Sequence, residues 1–383
     1  MDSNYPNILQ IAPIPTGSTK RLHARLQGIV MSLTELGYDS VICTYAESKT
    51  ITGAENLRVA ASKKQVTTHD QLEKLSFSSN IKLAILSIKT FHRVNPVAIH
   101  AYGFRGMTIA LLIKLCFFWK RTPTVFDLGE ASINKITNKS KFSVKGLLAK
   151  TSSLVTCSNQ NGIQSIEKNL GLNSRKISLV VNGINSHSTI DHSRKSTIRE
   201  KLKLSSHKTI VVINESLEKS PLLKDIQKTI FACKNMGDEL HFLIIGSPEK
   251  YLYRFLKKYH LRDMCTLIGE VNPRLLPQYY SVSNIALTPS HVHQDNDRVK
   301  LLTFMANELP VLAYDGKNQQ HFLPENTPLS HSLKEIVQNL KDLHHNKERQ
   351  KNLAFENAKR FKEYYSWEVS KEQLYASYAQ VLS

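Results

Sequence analysis

The sequence predicts an α/β protein of two Rossmann-like domains with parallel sheets. Three observations carry this reading. The chain has 383 residues, enough for two domains of ordinary size. It opens on a strand (N-I-L-Q-I-A, 7–12), a small-residue turn (T-G-S-T-K-R, 16–21), a helix and a second strand. Far downstream the same order returns: an apolar run at 285–288, a polar loop at 290–297, an amphipathic segment at 298–307 and a second apolar run at 310–313. Strand, loop, helix, strand is the repeating unit of a parallel sheet, and ligands of such sheets sit at strand carboxyl ends and helix amino ends. The loop 290–297, rich in His and acid, is where a site is sought first.

Taken in order, the first helix spans about 20–36, with Leu22, Leu26, Ile29, Leu33 and Leu36 at helical spacing. Gly37-Tyr38 ends it, and 40–44 is the second strand. Residues 78–91 carry Ile81, Ile85 and Ile88 on one helical face beside Lys82 and Lys89. Residues 97–103 form a strand holding His100, which reads either as a polar group facing the cleft or as a core histidine. Residues 107–119 are almost all apolar, contain Lys114 and are too short to span a bilayer. They suit a core helix between two strands. Their end, Phe117-Phe118-Trp119-Lys120-Arg121, also suits docking at an anionic lipid surface. Strands follow at 123–130, 152–158 and 176–183, with a helix over 159–170 and an Asn182-Gly183 turn. The Ser-, His- and charge-rich stretch 184–206 reads as a linker.

The second half opens with a β-branched strand at 209–214. Further strands are expected at 239–246, 265–269 and 283–290, and helices at 249–259 and 275–280. Polar helices follow over 332–347 and on to 361. The tail places Trp367, Leu374, Tyr378 and Leu382 at the spacing of a buried stripe, which needs no cofactor.

The net charge is +19 and unevenly placed. Residues 1–182 hold 23 Lys and Arg against 10 Asp and Glu, whereas residues 183–383 hold 28 against 22. A basic first half implies an anionic partner or a merely soluble basic surface. Neither a zinc spacing nor an RNA-binding aromatic signature accompanies the charge, so no nucleic-acid partner is expected. The five cysteines are far apart without a C-x-x-C pair; they read as apolar fillers in a reducing compartment, and no metal site is expected. The start M-D-S-N-Y-P is acidic and runs straight into a strand, so no signal peptide is expected.

The stretch L-T-P-S (287–290) followed by K-L-L-T-F-M-A-N-E-L-P-V-L-A-Y-D (300–315) resembles the nucleotide-sugar-binding segment of the GT-B glycosyltransferases, in particular their large retaining family four. The family pattern there is P-S-x-x-E, then E-A-M-A-x-G-x-P-V-V-A. Asp295 stands at the first Glu, Thr303 at the second and Glu308 at the Gly. The opening turn is similar to the family's P-x-x-G-G, with Gly17 alone for the two glycines. V-A-I-H-A-Y-G (97–103) resembles D-V-I-H-A-H, and P-T-V-F-D-L-G-E (123–130) resembles P-x-V-Y-D-x-H-D with Gly129 in place of the histidine. The family's G-R-L … K-G, whose Arg and Lys pair with the donor diphosphate, meets Glu215 and Ser216 here, with Lys219 and Lys224 nearby.

The resemblance implies a GT-B architecture with the two sheets facing a central cleft: an acceptor-side domain over 1–182, a nucleotide-sugar-binding domain over 183–365, and a terminal helix, 366–383, packing back on the first. It implies a divergent retaining hexosyltransferase moving a sugar from a nucleotide-sugar donor to a lipid-linked or polysaccharide acceptor at the cytoplasmic face of the plasma membrane. The donor is a substrate; no cofactor and no metal ion is expected. Asp295 and His100 are the catalytic candidates. Lys219, Arg298, Lys300, Thr303 and Gly17 are the donor-binding candidates. The joint replacement of family groups at Gly129, Ser216 and Thr303 supports a second reading, a catalytically silent GT-B protein serving as scaffold or partner for an active glycosyltransferase.

Overall fold

The computed structural model describes residues 5–13, 20–45, 58–61, 77–129, 133, 136, 143–183, 195–218, 220–272, 275–288, 297–315 and 322–383. They divide into two units, Met1–Gly183 with Trp367–Ser383, and Ile184–Ser366.

Unit 1 alternates strands and helices: β1 (Asn7–Ile11), α1 (Lys20–Glu35), β2 (Asp39–Thr44), β3 (Arg58–Ala61), α2 (Phe77–Val94), β4 (Ala98–Tyr102), α3 (Gly103–Cys116), β5 (Thr124–Leu128), α4 (Val144–Thr151), β6 (Leu154–Cys157), α5 (Gln160–Leu170) and β7 (Ile177–Leu179). The strands form one seven-stranded sheet in the order β3-β2-β1-β4-β5-β6-β7, parallel throughout. Alternation along each strand sorts the side chains. Leu9, Ile11, Val41, Ile99, Ala101, Phe126 and Leu128 enter one core with Met107 and Ile113 of α3, Leu148 of α4 and Ile166 of α5. The opposite face carries Ile8, Ile42, Ala98, Tyr102 and Val125 against Leu26, Ile29 and Leu33 of α1.

Unit 2 runs α6 (Lys195–Lys201), β8 (Thr209–Asn214), α7 (Pro221–Ala232), β9 (Leu240–Ile245), α8 (Lys250–Lys258), β10 (Cys265–Gly269), α9 (Leu276–Ser281), β11 (Ile285–Thr288), α10 (Asp297–Ala306), β12 (Val311–Tyr314), β13 (Leu329–Ser330), α11 (Leu333–His345) and α12 (Lys347–Tyr364). Its six-stranded sheet has the order β10-β9-β8-β11-β12-β13, and every pair is parallel. Val211, Ile213, Ile285 and Leu287 face a core with α7 and α11, whereas Val212, Ala286, Val311 and Ala313 face Leu301, Leu302 and Met305 of α10. The last helix, α13 (Trp367–Leu382), belongs to unit 1, where Leu374 and Tyr378 join the α1 face of the sheet.

Local signals explain the boundaries. Asn159 caps α5 through its side chain to the Gly162 amide, and Gly171 closes it at φ +67°. Ser220 caps α7 ahead of Pro221, the first helical residue. Three expectations change. Part of the expected linker is α6, whose Ile198 packs with Leu202 against Leu204. The apolar run 107–119 ends its helix at Cys116, followed by a 3₁₀ turn at Phe118–Lys120. Of the cysteines, Cys43, Cys157 and Cys233 are buried, but Cys116 is exposed, because it lies on the outer face of α3.

Candidate functional site

In unit 2 the strand order reverses between β8 and β11. The chain leaves β8 for α7 on one face of the sheet and leaves β11 for α10 on the other. Such a switch point opens a crevice at the strand carboxyl ends, the general ligand position of open α/β sheets. Here those ends are Asn214 and Thr288.

Glu215 follows β8 directly. Its amide donates to the Ile245 carbonyl (3.0 Å), and its own carbonyl abuts Gly246, where a Cβ would come within 1.8 Å of the oxygen. Only glycine fits that approach at φ +147°. The Leu217 amide donates to the Ser247 carbonyl (3.1 Å), so the β8 exit is tied to the β9 exit on both sides. From this anchored backbone the Glu215 carboxylate pairs with the Lys300 ammonium, in the first turns of α10. Beside them the Asn214 amide donates to the Tyr280 hydroxyl (2.6 Å). Burial raises the Tyr280 pKa and the neighbouring Glu215 adds to it, so the phenol stays protonated. Thr288 is buried at the end of β11, and its hydroxyl oxygen has no hydrogen-bond partner.

Of the donor-binding candidates, α10 brings Lys300 and Thr303 together on adjacent turns. The Thr303 hydroxyl donates to the Val299 carbonyl (2.6 Å), which leaves its lone pairs as the part a ligand can meet. Arg298 is the second residue of α10. Asp295, Lys219 and Gly17 lie outside the described residues. Glu308 ends α10 at φ +54°, the left-handed region, which accounts physically for the glycine of the family pattern at that position.

His100 sits elsewhere, in unit 1. It is fully buried on β4, and its Nδ1 is 2.8 Å from the Tyr378 hydroxyl. Its ring stacks on Tyr102 and Tyr378. Burial pushes its pKa down to about 4, so it is neutral. This corrects the catalytic assignment: a ring enclosed by α13 and its own sheet has no surface for a substrate, and His100 is a core histidine.

It belongs to a polar row that sequence reading missed. Tyr102 donates to Gln10 (2.8 Å), and Arg25 of α1 reaches down to Asp127 of β5 with two bonds (2.7 and 2.6 Å). Thr156 donates to the same carboxylate (2.9 Å), and Arg25 also donates to the Val180 carbonyl (2.8 Å). Burial works to raise the Asp127 pKa, but the Arg25 guanidinium outweighs it and holds the carboxyl below its usual value. Gln10, His100, Tyr102, Asp127 and Thr156 all occupy positions on the α1 side of the sheet, so the one available signal was alternation with an unexpectedly polar phase.

One His/Glu cluster with metal-ligand spacing occurs among the described residues: Glu239, His344 and His345, whose ligand atoms lie within 4.8 Å of one another. It lies at the amino end of β8 and β9. Lys347 donates to the Thr209 hydroxyl (3.0 Å), Thr209 meets His344 Nδ1 (2.9 Å), and His344 Nε2 faces Glu239 (3.6 Å). A neutral His344 protonated on Nε2 satisfies that whole chain without an ion.

Comparison with known proteins fits this architecture. Residues 194–361 match the family model described as glycosyl transferases group 1. No curated protein matches the chain by sequence. Among solved structures the chain is similar to a glycosyltransferase from Rickettsia africae, with TM-score 0.77 and 13% identity over 99% of each chain. It is also similar to HepE of Anabaena, solved with UDP, at TM-score 0.71 and 15% identity over 98% of this chain and 99% of that one. Sucrose-phosphate synthase from Thermosynechococcus elongatus gives TM-score 0.70 and 14% identity over 98% of each chain. The chain therefore has the GT-B fold, and the span that matches the glycosyl transferases group 1 model covers most of unit 2.

Proposed function

We propose that this protein transfers a sugar from a nucleotide-sugar donor, bound with its diphosphate at the carboxyl ends of β8 and β11, to a lipid-linked or glycan acceptor. The observation that carries the reading is the placement of Lys300 at the amino end of α10, beside the crevice where the strand order reverses. A leaving diphosphate gains negative charge as the glycosidic bond breaks, and a helix amino end with a nearby ammonium stabilises that charge. Lys300 serves that role, with Arg298 two residues earlier in the same helix. Thr303 offers an acceptor to the donor's hydroxyls. Asp295 stays the catalytic candidate, and Lys219 and Gly17 stay donor-binding candidates, on their positions in the motifs. The transfer is read as retaining, as in the family the sequence resembles, and the neighbour solved with UDP supports a nucleoside diphosphate donor.

The acceptor class follows from unit 1. Residues 77–121 contain seven Lys and Arg and no Asp or Glu. On the outer side of α3 and the turn after it, Leu115, Phe118 and Trp119 are 65%, 75% and 62% exposed. Val144 and Leu147 of the adjoining α4 are exposed as well. Exposed apolar side chains in a stretch with cations and no acids match the interface of an anionic bilayer, here assigned to the cytoplasmic face of the plasma membrane. No helix among the described residues is long and apolar enough to cross a membrane, and the attachment proposed is peripheral.

Calorimetric titration with UDP-, GDP- and ADP-sugars and the free nucleoside diphosphates tests the donor assignment. Binding by at least one of them is expected. Heat from none favours the second reading, a silent partner of an active glycosyltransferase, for which the pairing of Lys300 with a protein carboxylate already speaks.

A further inference from the structure

A carboxylate stands where the charge of an anionic ligand would fall. Glu215 and Lys300 are 85 residues apart in sequence, yet their ion pair spans the crevice between the exits of β8 and β11. The side chains are only 5% and 18% exposed. Separating an ion pair so enclosed is strongly unfavourable unless another partner takes its place. The two ends differ in freedom. The Glu215 backbone is tied to Ile245 and wedged against Gly246, whereas Lys300 reaches its partner on a flexible four-carbon stem. In the same crevice, on the α10 side of β11 as strand alternation requires, the buried Thr288 hydroxyl is left without a partner.

We propose that Glu215 is an internal stand-in for the donor's diphosphate: it neutralises Lys300 until a donor binds, and an entering diphosphate takes the ammonium over in competition with it. This rests on the donor assignment above. Competition has two consequences. The protein binds diphosphates more weakly than the same crevice without the carboxylate would. It also discriminates by charge, because a monophosphate is a poorer rival to a fixed carboxylate than a diphosphate is.

The test titrates inorganic pyrophosphate, UDP, GDP and ADP, with the matching monophosphates, into the wild type and Glu215→Gln. The glutamine keeps the shape and an acceptor for Lys300 while removing the charge. Diphosphate affinity is expected to rise about tenfold, with a smaller gap between diphosphate and monophosphate. Lys300→Gln is expected to weaken both. Binding by the wild type with equal or weaker binding by Glu215→Gln overturns the stand-in alone, and makes Glu215 a residue that merely positions Lys300. Heat from no protein with any of these ligands overturns the donor assignment and the stand-in together. Should Glu215→Gln melt early, Glu215→Ser, which removes charge and bulk together, is read in the same way.

Discussion

A neutral histidine at the bottom of a core is a proton site that the fold keeps shut. His100 is held near pKa 4 by burial, against an ordinary value of 6.5. In the unfolded chain it takes up a proton as the pH falls below about 6.5, whereas in the folded chain it does not until about 4. The unfolded state therefore binds more protons across that window, and stability is lost as the pH falls from about 6.5 to about 4, by roughly 3 kcal/mol at most for this one group. Urea unfolding at a series of pH values is expected to show a slope that flattens in His100→Phe. An unchanged slope would mean that another group carries the proton uptake. His241, also lowered to about 4 by burial, and His344, lowered by burial as well, contribute to the slope that remains. Nothing in the local sequence separated a core His100 from a catalytic one, because V-A-I-H-A-Y-G fits both. What decides is Tyr378, 278 residues away, whose hydroxyl closes over the ring. The same holds for Glu215, visible in the sequence as a departure from the family glycine but not as the counter-ion of a lysine 85 residues on.

Elements were more legible than residues wherever the apolar period was strong. The β8 span 209–214 and the β10 span 265–269 are matched end to end, since β-branched or apolar runs there are bounded by turn residues. The short edge strands β3 and β13 escaped notice, being four and two residues long with no hydrophobic pattern of their own. Helix α7 was also passed over, although Ser220-Pro221 is a capping signal that marks its start. The end of α10 shows how a local rule can be broken at a cost. Glu308 adopts φ +54° so that the chain can turn from the helix into β12, with its amide bonded to Met305 and that of Leu309 to Phe304. A side chain in this region is disfavoured by about 1 kcal/mol relative to glycine. Glu308→Gly is accordingly expected to raise the unfolding free energy by up to about 1 kcal/mol, the gain being trimmed by glycine's greater freedom in the unfolded chain. Denaturant titration of the two proteins measures it. A loss of stability would place a contact of the Glu308 side chain above its backbone strain.

At the scale of the whole chain, composition and surface agree about unit 1. The excess of 23 cations over 10 anions in residues 1–182 is a statement about partners, and the proposed lipid contact is placed at Phe118 and Trp119, which are exposed. The apolar run 107–119 serves the core along one side only. Met107, Ile109, Ala110 and Ile113 fill the core, while Leu112 and Leu115 point away from it. Each half of the surface makes its own demand. If cations alone hold the protein to lipid, vesicle binding should fade steeply with salt. If the aromatic side chains insert, part of the binding should persist. Co-sedimentation with vesicles of mixed neutral and anionic lipid, at low and high salt, is expected to show strong binding that salt weakens without abolishing. Replacing Phe118 and Trp119 together by Ser is expected to remove the salt-resistant part, since each aromatic contributes on the order of 1–3 kcal/mol of apolar burial. Lys120→Glu with Arg121→Glu should instead reduce the salt-sensitive part, each cation near the surface being worth about 1 kcal/mol. Nucleotide titrations on the same variants are expected to be unchanged, because the crevice of unit 2 shares no residue with this surface. Vesicle binding indifferent to both pairs of substitutions would move the attachment off α3 and leave its exposed aromatic side chains to a protein partner.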